Sequence, residues 1–177
     1  MNKAIFLDRD GTLIKDKEYQ FISSEIEFIE GVTEALNKFL SLGFKLIVIT
    51  NQSGIGRGYY NVEDMNSINR AINDELSKDC ISIIDFYHCP HFLGSEMEVY
   101  NIQCSCRKPA PGLLIQAAKD YDIDLSQSYM IGDKESDVLA GENAGVKNSY
   151  LINGKQDLLY YAELIHNQSF QLKNLKK

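Results

Sequence analysis

Phe6-Leu7-Asp8-Arg9-Asp10-Gly11-Thr12, FLDRDGT, begins apolar and ends in two carboxylates and a turn. Residues 4–8, AIFLD, form a short apolar run closed by an acid, which predicts a buried strand. Such a strand delivers charge to one edge of a sheet. Asp and Gly also suit a strand-end turn for geometric reasons alone, so the motif needs company.

The same grammar recurs along the chain. Residues 44–50, FKLIVIT, are rich in β-branched and aromatic residues and end at Thr50-Asn51-Gln52-Ser53. A third strand over about 83–88, IIDFYH, leads to a cysteine-rich stretch and Arg107-Lys108. A fourth, 128–132, SYMIG, ends in Gly132-Asp133-Lys134-Glu135-Ser136-Asp137, and a fifth lies near 148–152. Helical patterns separate the strands. Val32, Ala35, Leu36, Phe39 and Leu40 share one face of a helix over 32–42 that Gly43 ends. Met65, Ile68, Ile72 and Leu76 stripe a helix over 62–79. Pro111-Gly112 open a helix carrying Leu114, Ala117, Ala118 and Tyr121, and two more helices end near 144 and 166.

Alternating strands and helices predict an α/β fold: a three-layer, Rossmann-like parallel sheet with helices on both faces. Ligands in such sheets bind beyond the carboxyl ends of the strands, where four strand ends here converge with polar groups. The chain of 177 residues reads as a single domain, with an irregular loop at 89–109 and a polar, frayed tail from about 168 to 177. The stretch from Thr12 to Gly31 is too short for a large cap domain.

A net charge of −7 argues against a nucleic-acid partner. It leaves room for a phosphorylated substrate, because a bound divalent cation inverts the local sign. No apolar run approaches a membrane span, and the start MNKAIFLDRDG does not read as a signal peptide. The expectation is a cytoplasmic monomer. Gly54, Gly56 and Gly58 are spaced GxGxG with no ribose-binding acid placed to match, which excludes a dinucleotide fingerprint.

Asp8, Asp10, Asp133 and Asp137 are expected to crowd at the sheet edge, and an oxygen-rich site of that kind suits Mg²⁺. Three of the four cysteines fall within eighteen residues. Cys89-x-His91 and Cys104-x-Cys106, twelve residues apart, offer three thiolates and one imidazole, a closed tetrahedral set for Zn²⁺. Inert free cysteines are the alternative. Against it, an irregular loop of about twenty residues is uncommon in a compact domain, and a metal clip would restrain it. Cys80 falls outside the pattern.

DRDGT after strand one, Thr50 after strand two, Lys108, and GDxxxD after strand four resemble the haloacid-dehalogenase-like phosphohydrolases over about residues 4–152. The resemblance implies Asp8 as nucleophile on phosphorus, forming an aspartyl-phosphate. Asp10 would be general acid and then general base, helped by a carboxyl pKa that neighbouring Asp133 and Asp137 raise. Mg²⁺ would sit on the Asp8 carboxylate, the Asp10 carbonyl and Asp133, with Asp137 in its outer shell. Thr50 and Lys108 would hold phosphoryl oxygens.

The zinc loop narrows the resemblance to a subgroup containing sugar-bisphosphate and histidinol-phosphate phosphatases. TNQSGIGRG, CSCRKPAPG and SYMIGDKESD look like its sugar-bisphosphate members. By that likeness Asp16, Tyr19, Asn51, Gln52, Ser53, Arg107 and Lys134 contact a small phosphorylated sugar, Arg107 at the sugar or a second phosphate. Asp16 and Tyr19 also fit an ordinary solvated loop, and Arg57 a loop brace. CPHFLG departs from the CPHHP usual in the subgroup, although both presumed metal ligands remain. A zinc-stabilised binding module without catalysis is the reading from another class; intact Asp8, Asp10, Thr50, Lys108 and Asp133 argue against it.

Overall fold

The computed structural model describes residues 1–17 and 26–174. Among them, β1 (Ala4–Leu7), β2 (Lys45–Asn51), β3 (Asp85–Cys89), β4 (Tyr129–Gly132) and β5 (Asn148–Leu151) form one sheet in the order β3-β2-β1-β4-β5. All pairings are parallel; Phe6 lies opposite Ile47 on one side and Met130 on the other. The helices are α1 (Val32–Ser41), α2 (Ser53–Gly56, a single turn), α3 (Val62–Ser77), α4 (Gly112–Asp120), α5 (Glu135–Ala144) and α6 (Leu158–Asn174).

Alternation along the strands builds two cores. Ile5, Leu7, Leu46 and Val48 face one way, against α1, α3 and α6, where Leu36, Phe39, Ile68, Ile72, Ala162 and Ile165 are buried. Ala4, Phe6, Ile47 and Ile49 face the other way, against Leu114 and Ala117 of α4 and Ala140 of α5. Each fully buried Leu, Ile or Phe contributes about 1.5–3 kcal/mol, so the strands are held from both faces. This is the three-layer architecture expected.

The chain's end differs from expectation. The pattern predicts a helix to about 166 and a frayed polar tail, whereas α6 continues to Asn174. Residues 158–174 contain neither Gly nor Pro, so nothing in them stops a helix once Tyr161, Ala162 and Ile165 dock it. No helix among the described residues is long and apolar enough to cross a membrane.

Strand order reverses at β1, which carries β2 on one side and β4 on the other. Crevices at such switch points receive ligands. After Leu7 the chain turns back sharply, with the amides of Leu13 and Ile14 both donating to the Arg9 carbonyl. Gly11 turns with φ of +87°, and a Cβ there would stand 2.3 Å from Asp133 Oδ2. Only glycine lets the β1 loop close over the β4 end.

Candidate active site

Lys108 lies at the centre of the site. Its side chain is 2% exposed, and its ammonium donates to Asp8 Oδ1 and to the Ile49 carbonyl, each at 2.6 Å. Asp137 Oδ1 is also 2.6 Å away. Burial by itself would lower the Lys108 pKa; Asp8 and Asp137 more than offset this and hold it above the ordinary value. Burial pushes Asp8 up to about 7, with Lys108 pulling it down and Asp137 and Asp10 pushing it further up. Both partners thus shift upward, which favours the charged form of Lys108 and the neutral form of Asp8. Charge count explains it: a single buried ammonium faces several carboxylates and cannot neutralise all of them.

Asp8, Asp133 and Asp137 each offer an oxygen within 4.8 Å of the others. Asp133 Oδ1 is buried with no hydrogen-bond partner among the described residues. Burial raises the Asp133 pKa, Lys134 opposes this and Asp137 adds to it. Buried polar atoms are normally paired, so an orphan acceptor among clustered carboxylates fits a hard divalent cation. Asp137 is otherwise engaged: one oxygen meets Lys108 and the other accepts from the Lys134 amide at the start of α5.

Asp10 departs from expectation. Its carboxylate does not join the cluster of the other three. It is turned onto the Arg9 guanidinium, at 2.9 to 3.2 Å, and onto Gln52 Nε2 at 2.8 Å. A forked, charge-assisted contact outcompetes approach to other carboxylates. Arg9 was given no role by sequence reasoning, yet it is among the largest fully buried side chains.

The expected substrate contacts divide. Gln52 is buried, with its amide nitrogen donating to Asp10 and Thr50 and its oxygen accepting from Arg9 and Tyr60. Asn51 clamps the Lys108 backbone, accepting from its amide at 3.0 Å and donating to its carbonyl at 3.1 Å. Both side chains face protein groups. Lys134 lies 3.6 Å from Asp16 and 4.0 Å from Asp133. Ser53 begins α2, and Tyr19 lies outside the described residues. A recess of about 30 Å³ is lined by Asp8, Asp10, Thr50, Asn51, Lys108, Lys134, Ser136 and Asp137. Ser136 was missed; its place within GDKESD, at the start of α5, was the available signal. A wider cleft of about 380 Å³ shares Lys108 with that recess and adds Arg107, Phe92, Leu93, Ile102 and Gln103.

No helix or strand lies between Cys89 and Gly112, as expected for the loop. Cys89, His91, Cys104 and Cys106 converge there. Sγ of Cys89 is 3.4 Å from His91 Nδ1, 3.6 Å from Cys104 and 3.3 Å from Cys106, and His91 Nδ1 is 3.2 Å from Cys106. Sulfurs so far apart are not bonded to one another. Tetrahedral zinc ligands stand about 3.5–3.8 Å apart, given bonds of roughly 2.0–2.3 Å, so the four donors surround a metal-sized point. Burial pushes the Cys89 and Cys106 thiols up, a cost that a cation would remove. The loop is braced elsewhere too. Arg107 donates to the His91 carbonyl, and Arg57 stacks on Phe92 at 3.6 Å, the bracing role open to it.

A family model described as HAD-hydrolase-like matches residues 105–177. The D-glycero-beta-D-manno-heptose-1,7-bisphosphate 7-phosphatase of Helicobacter pylori is 47% identical over 152 residues, 85% of this chain and 84% of that protein. The chain belongs to the heptose-bisphosphate phosphatase family of haloacid-dehalogenase-like hydrolases. The alpha-anomer member from Photorhabdus laumondii is 38% identical over 150 residues, 85% of this chain and 82% of its own length. A solved member of the family, D,D-heptose 1,7-bisphosphate phosphatase from B. bronchiseptica complexed with magnesium and phosphate, superposes with a TM-score of 0.80 at 27% identity, covering 94% of this chain and 99% of that one.

Proposed function

We propose that the protein removes the 7-phosphate of D-glycero-D-manno-heptose 1,7-bisphosphate through a covalent intermediate on Asp8. The observation that carries this is the buried Lys108–Asp8 contact beside the unpartnered Asp133 oxygen, in a chain 47% identical to a phosphatase of that name.

Asp8 attacks phosphorus with a carboxylate oxygen, and the bond to the sugar oxygen breaks. Asp10 gives its proton to the departing alkoxide, at the rim of the recess that it lines. Asp10 then takes a proton from water, the water opens the acyl-phosphate, and inorganic phosphate leaves with Asp8 restored. Lys108 and the Thr50 hydroxyl, whose oxygen already accepts from Gln52, bind the phosphoryl oxygens. Asp8, the Asp10 carbonyl and Asp133 would hold Mg²⁺, with Asp137 outside; the ion would supply charge neutralisation and favour ionised Asp8. The cleft beyond Lys108 receives the sugar, with Arg107 toward its second phosphate. Asp16 and Lys134 close the other side, with Tyr19 and Ser53 as further contacts. Gln52 and Asn51 position Asp10 and Lys108.

The chain works as one phosphohydrolase domain in which a structural Zn²⁺ on Cys89, His91, Cys104 and Cys106 clips the 89–109 loop and so aims Lys108. Thiolates of this kind need a reducing compartment, which supports a cytoplasmic enzyme of nucleotide-activated heptose synthesis. The test is phosphate release with Mg²⁺ from both heptose bisphosphate anomers and from histidinol phosphate. Preference for either heptose anomer supports the reading. Preference for histidinol phosphate overturns the substrate, and no release from any of them overturns the reaction.

A further inference from the structure

We propose that Arg9 is the residue that positions Asp10, and that Asn69 on α3 sets Arg9. The inference rests on the acid and base role given to Asp10 above. Arg9 is 2% exposed, and a buried guanidinium must find acceptors for its donors. All three nitrogens find them in one small region. Nε and one terminal nitrogen grip the Asp10 carboxylate at 2.9 to 3.2 Å. That terminal nitrogen also donates to Gln52 Oε1 at 3.1 Å, and the other donates to Asn69 Oδ1 at 3.1 Å.

Consecutive residues of an extended chain point to opposite sides. Arg9 and Asp10 pair because the chain turns immediately, with the Leu13 and Ile14 amides on the Arg9 carbonyl. Gln52 completes the lattice and its amide cannot flip: the nitrogen donates to Asp10 and Thr50 while Tyr60 donates to the oxygen at 2.6 Å. Asp10 is therefore held from behind by buried groups, yet its side chain keeps 21% exposure and lines the recess. A general acid acts only within hydrogen-bond reach of the leaving oxygen, and about 1 Å of misplacement costs about 100-fold. Asn69 supplies the link to the fold. It is 7% exposed, at a position of α3 where its neighbours pack into the core.

Leaving-group dependence separates positioning from plain structural support. kcat/KM covers the steps through departure of the alcohol. A sugar alkoxide needs a proton at that moment; p-nitrophenolate, a weak base, does not. Arg9→Lys keeps the charge and loses the fork. Asn69→Leu removes the acceptor, while Asn69→Asp retains one. Arg9→Lys and Asn69→Leu are expected to lower kcat/KM for heptose bisphosphate by about 10- to 100-fold, through kcat, while p-nitrophenyl phosphate changes by less than about threefold. Asn69→Asp should stay near wild type on both. Equal losses on the two substrates, a loss carried by KM, or failure of Asn69→Asp to restore turnover overturns the inference. If Arg9→Lys does not fold, shown by its melting curve, the Asn69 pair decides alone. A wild-type protein inert toward heptose bisphosphate would instead overturn the functional reading itself.

Discussion

Two substitutions on one hydrogen bond should move stability in opposite directions. Lys108 Nζ is 2.6 Å from Asp8 Oδ1 and 2.6 Å from Asp137 Oδ1, all deeply buried. Lys108→Met deletes the ammonium and leaves carboxylates facing each other. Breaking a buried pair from one side costs about 3–5 kcal/mol. In a chain of this length each kcal/mol moves Tm by about 2–4 °C, so Lys108→Met should melt about 6–20 °C below wild type at pH 7.5 in Mg²⁺-free buffer. Asp8→Asn carries the other sign. Burial takes the Asp8 carboxyl from 3.8 to about 7, so the folded chain keeps that proton where the unfolded chain has lost it. Wild type therefore loses stability as pH rises from about 4 to about 7, by at most about 4 kcal/mol at 1.36 kcal/mol per unit. An amide does not ionise and escapes that loss, forfeiting about 1 kcal/mol of hydrogen bonding to Lys108. Asp8→Asn should melt at or above wild type at pH 7.5, lose that advantage at pH 5, and show no turnover. Thermal melts at both pH values, without chelator so that the cysteine cluster is undisturbed, read all of this. A Lys108→Met protein melting within about 3 °C of wild type, or an Asp8→Asn protein clearly weaker at pH 7.5, refutes the charge argument.

Elemental analysis of protein purified without chelator should find about one zinc per chain, and Cys104→Ser should lower that content and open residues 89–109 to proteolysis. A metal-free preparation with an intact, protease-resistant loop contradicts the clip. Gly11→Ala combines a left-handed φ of +87° with a Cβ 2.3 Å from Asp133 Oδ2, so the Mg²⁺ concentration for half-maximal activity should rise about tenfold or more. An unchanged Mg²⁺ dependence would separate Asp133 from the ion.

Much of the frame was legible because burial writes a period into the chain. AIFLD and FKLIVIT are apolar on both faces, as a sheet covered by helices on both sides requires, and they became β1 and β2. The stripe Met65, Ile68, Ile72, Leu76 became the buried face of α3. The site was legible at the level of residue type: Asp8, Lys108, Asp133 and Asp137 meet because parallel strands end on one edge. The cysteine–histidine spacing likewise delivered its four donors to one point.

Arg9 was not legible. Within DRDGT it occupies the position between the two acids, and nothing local says that a guanidinium there will be buried. The faint signal was distant: Asn69 stands on the same face of α3 as the apolar stripe, and a buried amide there needs a partner. Gln52 read as a substrate contact because it follows a strand end, whereas its hydrogen bonds all run inward. The continuation of α6 was missed because a polar stretch reads as a tail unless a docked helix precedes it.

The amino-acid sequence by itself determined the layered sheet, the edge that carries chemistry, and the donor types of the two clusters that could hold a metal ion. Those properties follow from periodicity and residue identity, which are local. Only the tertiary structure decided which way each polar side chain turns. Asp10 faces Arg9, Asn51 and Gln52 serve protein groups, and one Asp133 oxygen has no partner among the described residues. Hydrogen-bond partners are chosen by competition among groups that folding brings together from distant parts of the chain, as Arg9, Gln52 and Asn69 are.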